Sequence, residues 1–436
     1  MGKILEYHIP GLGKIRAELF EYSSKAYELL NKHGHINRMR EIEQLGVIRS
    51  VYEGVHHPRW EYVMTQLGII YKLATRDKAT GKKLLRGKWG LSRKINFNSN
   101  EISGADIIQI WTLLLNAGHL PGTFATEKAI LKSLKSDEKL KKRFKKGLPD
   151  REIKLYLDKI IKTGDIYKFH KILSFFFLQR YKRDDPELVN LLIDVLKFYC
   201  FENSHNEARE KLRHVFKRIR QISYLYLDTR YSHIPVNFDL PTIVINLPDY
   251  IDELLDYNSP LSKTLEKLDD FLSVTLYQSG ESMRIHSYHV REVMKRIRKN
   301  KKIRDNVTDL MKFLVNSKNF EPKYMEWEEN STLRLLLEIP YILSDSAKKV
   351  LTFDLEDTMN KNYGITKSLI NIQPNPKRNM YTISLSFLPG CKDIYRVKIL
   401  GKFIKDIIII EEKLIPEDFF ELLTGIFDDS YRNLIL

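Results

Sequence analysis

Apolar residues recur at helical spacing along most of this chain. Leu19, Phe20, Tyr27, Leu29 and Leu30 predict a helix between Ala17 and Lys32. Met39, Ile42, Leu45 and Val47 form a second stripe, with Asn37 placed to cap it. Trp60 to Leu73 is apolar almost all round, which predicts a buried helix. Another apolar helix is expected from Ser103 or Gly104 through Leu115. Gly118 and Pro121-Gly122 end it, and Thr126 or Glu127 opens the next. Residues 153–300 continue in the same texture. Between Lys211 and Leu227, Arg213, Lys217, Arg218 and Arg220 alternate with Phe216, Ile219, Ile222, Tyr224 and Leu225 as two sides of one helix. The interruptions are few. Pro10, Gly11 and Gly13 punctuate an extended start that predicts a strand or hairpin over residues 1–18. Pro235 and Pro241 introduce a stretch, Thr242 to Leu247, that reads as extended. After about residue 350 the period changes to two, in Thr382–Phe387, Tyr395–Leu400 and Ile407–Ile410, with a helix expected over Pro416–Phe427. The expected fold is mainly α, in three segments: strands and a first helix over 1–35, a helical domain over 36–345, and a small α+β module over 346–436.

Composition adds a charge to this picture. The chain has 436 residues, 43% of them hydrophobic, enough for a large core. Its formal net charge of +16 favours an anionic partner, a nucleotide, a nucleic acid or an acidic protein, although a general preference for lysine would raise it too. The excess gathers in Arg76–Lys94, Lys132–Lys154 and Lys295–Arg304, each of which is either a solvated surface or a phosphate contact. The two cysteines, Cys200 and Cys391, are far apart, so neither a cysteine zinc site nor a disulfide framework is expected. The first residues lack the apolar core of a signal peptide, and no apolar run is long enough to span a bilayer. A cytoplasmic protein that does not enter the membrane is the expectation.

Two short blocks carry the candidate chemistry. The first is NRMREIEQLG (Asn37 to Gly46), followed by Pro58-Arg59-Trp60-Glu61-Tyr62. The second is LLLNAGHLPGTFATE, from Leu113 to Glu127. In order and spacing they resemble the first part of the HD domain of deoxynucleoside triphosphate triphosphohydrolases, whose corresponding runs read QRLRxIxQLG, RFEH and LLHDIGHxPFSHxxE. The likeness covers roughly the first 130 residues. Ile9-Pro10-Gly11-Leu12-Gly13-Lys14-Ile15 is similar to the lead-in of that family.

The resemblance implies histidine and aspartate ligands holding a divalent metal that polarises phosphate and activates water. Here those positions hold other residues. The histidine after RFE is Tyr62, and the HD pair is Leu115 and Asn116. Leucine cannot ligate a metal, the amide offers a neutral oxygen, and the phenol is protonated near neutral pH. The last aspartate of the family is matched at best by Asp228. By the same resemblance, Gln44, Leu45 and Arg59 stand where the family contacts base, sugar or phosphate, and His119 where it approaches the phosphates.

Other histidines offer weaker patterns. His56 and His57 are adjacent, and neighbouring side chains diverge on helix and strand alike. His286 and His289 share a helix face but lack a nearby Glu-x-x-His partner. The expected function is therefore a catalytically degenerate HD-like protein that binds a nucleotide or nucleic acid, or serves as a regulatory or assembly subunit in a homo-oligomer or protein complex. The alternative is an active phosphohydrolase with relocated ligands, drawn from His56, His57, His119 and Asp228 and holding Mg, Mn or Fe.

Overall fold

The structure is a computed structural model that describes residues 2–50, 56–80, 89–201, 207–230, 239–277, 280–316, 333–340, 370–375, 380–387 and 406–409. Its contacts divide into two compact units. Met1–Leu276 with Glu292–Phe320 form the first, and Tyr277–Arg291 with Glu321–Leu436 the second.

The first unit is helical, as the apolar spacing predicts. It opens with an antiparallel hairpin, β1 (Ile4–Ile9) and β2 (Gly13–Glu18), turned at Gly11 and Gly13, both at positive φ. Then come α1 (Glu21–Lys32), α2 (His35–Glu41), a 3₁₀ turn (Gly46–Ser50) and α3 (Arg59–Thr80). A second hairpin, β3 (Lys94–Phe97) and β4 (Asn100–Ser103), leads into α4 (Gly104–Ala117). After it follow α5 (Phe124–Ser136), α6 (Glu138–Lys146), α7 (Arg151–Thr163), α8 (Phe169–Tyr181), α9 (Pro186–Cys200) and α10 (Glu207–Thr229). The helices α11 (Leu240–Ile245), α12 (Leu247–Leu255) and α13 (Pro260–Leu272) follow α10; of α14 (Gly280–Lys299) the residues from Glu292 on belong to this unit, and α15 (Lys301–Asp305) and α16 (Val307–Val315) close it.

α4 is the centre of this unit. All 14 of its residues are buried, and it packs against α1, α3, α8, α9 and α10. Ser103, one of the two starts expected from the sequence, caps it by accepting the Asp106 N–H. Asp106 in turn accepts the Tyr22 and Ser23 N–H groups at 3.0 and 2.7 Å, so the first turn of α1 is capped by a side chain of α4 and not by its own Phe20. At the other end of α4 the Arg38 guanidinium takes the carbonyls of Ala117 and, at 2.5 Å, His119. A cation thus satisfies the electronegative terminus of a helix that has no solvent there.

Four local expectations are corrected. Asn37 lies inside α2, which starts after Gly34 at φ 75, and the stripe Met39–Val47 is broken at Ile42, where the chain turns extended. Thr242–Ile245 is helical, because Asp239 caps α11 through the Thr242 N–H and Pro241 occupies its first turn, where proline fits. α5 begins at Phe124, ahead of Thr126. The basic segment Arg76–Lys94 is no simple loop, since α3 continues to Thr80. Tyr395–Leu400 and Pro416–Phe427 lie outside the described residues.

In the second unit, β5 (Leu333–Pro340), β6 (Ile370–Asn375), β7 (Met380–Phe387) and β8 (Asp406–Ile409) make an antiparallel sheet in the order β6-β7-β5-β8. The period-two run at Thr382–Phe387 is its inner strand β7, paired on both sides. Among the described residues, no helix is long and apolar enough to cross a membrane.

Candidate functional site

The two sequence blocks meet at the C-terminal end of α4. Residues 42–46 run beside 57–59: Gln44 N–H donates to the His57 carbonyl, Arg59 N–H to the Ile42 carbonyl, and Glu43 bridges Pro58. Gly46, at φ 59, lies so close to the Gly122-Thr123 turn that a Cβ would collide with the Thr123 hydroxyl. This close approach ties the Gln44-Leu45-Gly46 run to the loop after His119.

Arg59 begins α3 and points inward, 2% exposed. One of its Nη atoms donates to Asn116 Oδ1 at 3.2 Å, the other to the Gln44 carbonyl at 3.3 Å. Its Nε has no hydrogen-bond partner among the described residues. Burial holds this guanidinium down at about 10. Asn116 spends its amide N–H on the Thr112 carbonyl. Tyr62, one turn after Arg59, accepts the Nε–H of Arg220 from α10 at 3.3 Å, and the same guanidinium reaches the Tyr199 hydroxyl. Burial alone lowers Arg220, but the two phenol oxygens outweigh it and hold the group above its ordinary value. Leu115 is 3% exposed and Leu45 8%, both as core side chains. Gln44 is half-buried, and its Oε1 has no hydrogen-bond partner among the described residues.

His119 follows the α4 terminus. Its Nδ1 lies 2.7 Å from Glu127 Oε1, and its ring stacks on His170 of α8 with centroids 4.2 Å apart. α8 reaches this point because Gly118 has no side chain: a Cβ there would collide with the His170 carbonyl and Ser174 Oγ. Ser174 instead donates to the Leu114 carbonyl at 2.7 Å. Burial pushes Glu127 up to about 8 and holds His119 and His170 well below the usual histidine range, with Arg59 adding to the depression of His119. Among the described residues, Glu127 Oε2 and both His170 ring nitrogens have no hydrogen-bond partner. Unsatisfied polar atoms this deeply buried are rare in folded proteins, and a cluster of them marks a place for a ligand or water.

His57 Nε2 meets Asp228 Oδ1 at 2.8 Å. Asp228, the candidate last ligand, is therefore engaged by His57, and from α10 it is Arg220 that reaches Tyr62. His56 is exposed and lies 3.4 Å from Glu43. His286 and His289 both lie on α14. Among the described residues, one trio has the proximity a metal ion needs: His119, Glu127 and His170, with ligand atoms all within 4.8 Å of one another.

Arg220 also lines a cavity of about 680 Å³ between α9, α10, α13 and the turn at Tyr257. Arg213, Lys217, Arg218, Tyr199, Tyr224 and Tyr257 contribute to it, against the carboxylates Glu210, Glu266 and Asp269. Arg218 lies over the Tyr257 ring at 4.5 Å, and His214 stacks on that ring at 4.9 Å.

Sequence reasoning names Arg59, Tyr62, Leu115, Asn116 and His119, and these come together. It misses Arg220, His170 and the role of Glu127. Glu127 was findable, as an acid inside the buried stripe Ala125-Thr126-Ala129-Ile130 of α5. His170, one histidine in a phenylalanine-rich helix, gave no such signal.

No protein-family model matches this chain, and no curated protein sequence matches it. Among solved structures it is similar to a phosphohydrolase from Bacteroides thetaiotaomicron, at 11% identity and a TM-score of 0.48, over 88% of this chain and 100% of that one. It is also similar to a hypothetical protein from Aquifex aeolicus, at 13% identity and a TM-score of 0.43, over 88% of this chain and 96% of that one.

Proposed function

We propose that this chain is a degenerate HD-like protein that binds the phosphates of a nucleotide with fixed guanidinium groups and does not hydrolyse them. The observation that carries the reading is the Arg220–Tyr62 contact at 3.3 Å. The resemblance implies a metal at Tyr62, Leu115 and Asn116, and the residues there do not fit one. Leu115 has no donor atom, Asn116 Oδ1 accepts from Arg59, and the Tyr62 oxygen faces a cation. A metal ion beside two guanidiniums would meet repulsion, whereas phosphate oxygens would be attracted by both. The neighbouring cavity adds further cations and three tyrosine rings, a chemistry suited to an anionic ligand with an aromatic base. Such a protein acts by binding, as a regulatory or assembly subunit.

The test is calorimetric titration of deoxynucleoside triphosphates with and without EDTA, beside a phosphate-release assay with manganese. Binding that survives EDTA, weakens on Arg220→Met and releases no phosphate is expected. Stoichiometric metal with turnover would overturn it.

A second reading is favoured by one observation, the His119–Glu127–His170 trio. Two imidazoles and a carboxylate are the donor set of some catalytic metal sites. Against it stand Arg59, Arg220 and Arg38, whose charges all bear on His119. Elemental analysis of wild type and His170→Ala separates the two: metal lost with His170 supports the trio as ligands.

A further inference from the structure

Independently of the nucleotide site, two basic segments far apart in sequence come together in the first unit. α6 carries Lys139, Lys141, Lys142, Arg143, Lys145 and Lys146. It packs against α16, and Arg143 donates to the Arg304 carbonyl at 2.6 Å and the Asp305 carboxylate at 2.9 Å. Beside this junction, the end of α14, α15 and α16 line an open groove of about 560 Å³. Lys295, Arg296, Lys299, Lys301 and Lys302 rim it, with Glu292 as its one acid, and Ile303 and Phe313 form its apolar part. Glu292 lies 3.5 Å from Lys295. Lys299, Lys301 and Lys302 are exposed and have no carboxylate partner among the described residues.

We infer that this groove binds single-stranded nucleic acid, with its lysines on successive phosphates and the Phe313 ring against a base. Three features select that partner. The cations outnumber the acids, so the site seeks a polyanion. The site is concave, which suits a strand and not the flat surface of an anionic bilayer. An aromatic ring lies among the cations, the combination that holds a strand by backbone charge and base stacking together. A duplex would keep its bases paired and away from Phe313, so the same groove discriminates against it.

The experiment uses the full chain and a fluorescently labelled oligo(dT) of about 20 nucleotides, read by anisotropy, with a duplex of the same length and phosphatidylserine vesicles alongside. Affinity for the single strand is expected to fall at least tenfold between about 50 and 200 mM salt. The triple variant Lys299→Glu/Lys301→Glu/Lys302→Glu is expected to lose at least a further tenfold and to flatten the log–log salt slope by about 2, the share of three contacts on a single strand. Phe313→Leu should weaken the single strand about fivefold or more and leave duplex affinity unchanged, while Phe313→Trp should preserve both. Circular dichroism confirms that each variant is folded. Wild-type affinity in the folded triple variant, binding indifferent to salt, or binding to vesicles but not to oligo(dT) would each overturn the inference. A duplex bound more tightly than the single strand would overturn it as well.

Discussion

His57 and Asp228 stand 171 residues apart in the chain and meet at 2.8 Å, with side chains 1% and 3% exposed. This pair clamps the segment before α3 onto the last turns of α10, the helix that also delivers Arg220. The position of Arg59, two residues after His57, thus depends on a contact with α10.

Breaking this pair is costly from either side. Asp228→Ala removes a buried partner of the imidazole, and His57→Ala removes a buried partner of the carboxylate. Each is expected to lower stability by about 3–5 kcal/mol. The double variant should lose clearly less than the sum, because the contact the two groups share can be lost only once. Chemical denaturation of the four proteins in a double-mutant cycle measures the coupling.

Stability should depend on pH through the buried His119–Glu127–His170 cluster. Both histidines have folded pKa values below the ordinary 6.5, so they are unprotonated in the native state while the unfolded chain takes up protons. Their contribution is fully present above 6.5 and is lost as pH falls through it. Glu127 is opposite: raised from 4.5 to about 8, it contributes below 4.5 and that contribution is lost as pH rises toward 8. Above 6.5 only the Glu127 loss remains, with a slope of at most about 1.4 kcal/mol per pH unit for one proton. Thermal melts from pH 5 to about 9 should therefore show decline on the alkaline side, and Glu127→Gln should flatten that limb.

Gly118→Ala tests the close approach of α8 to the end of α4. The added methyl meets the His170 carbonyl and the Ser174 hydroxyl, which are backbone and short side chain and cannot step aside. Overpacking of this kind costs about 1–3 kcal/mol. The stack of His170 on His119 should open with it, visible as a shift of both imidazole resonances by NMR.

Much of this arrangement was legible in the sequence. The buried α3, apolar almost all round, and the apolar α4 with its start at Ser103 or Gly104 follow from spacing. The pairing of the two motif blocks was also foreseeable, because Gln44, Arg59, Asn116 and His119 belong to one pattern. Thr242–Ile245 was misread because prolines at 235 and 241 look like breakers, yet Pro241 sits in the first turn, where the missing N–H costs nothing. Arg220 was hidden for a different reason. On the sequence it is one of six lysines and arginines on one helix, and only the crossing of α3 and α10 shows that it meets Tyr62. The junction of Arg143 with Arg304 is equally a property of packing, not of any local pattern.

Asn116→Asp distinguishes an arginine anion site from a latent metal site. The substitution places a carboxylate 3.2 Å from Arg59 Nη1 and removes the amide that donates to the Thr112 carbonyl. The family resemblance puts an aspartate at this position, so a site with dormant metal chemistry should gain metal affinity. A site built from Arg59 and Arg220 should respond the other way. The new carboxylate pairs with Arg59, cancels half of the fixed positive charge and competes with phosphate for the same N–H groups. Leu115 still offers no ligand, and Arg220 still faces Tyr62. Nucleotide affinity is expected to fall about tenfold or more, the size of one charge-assisted hydrogen bond, with no stoichiometric manganese bound. Calorimetry with nucleotide and with manganese on the same preparation reads both quantities, and tighter manganese binding with unchanged nucleotide affinity would refute the anion-site reading.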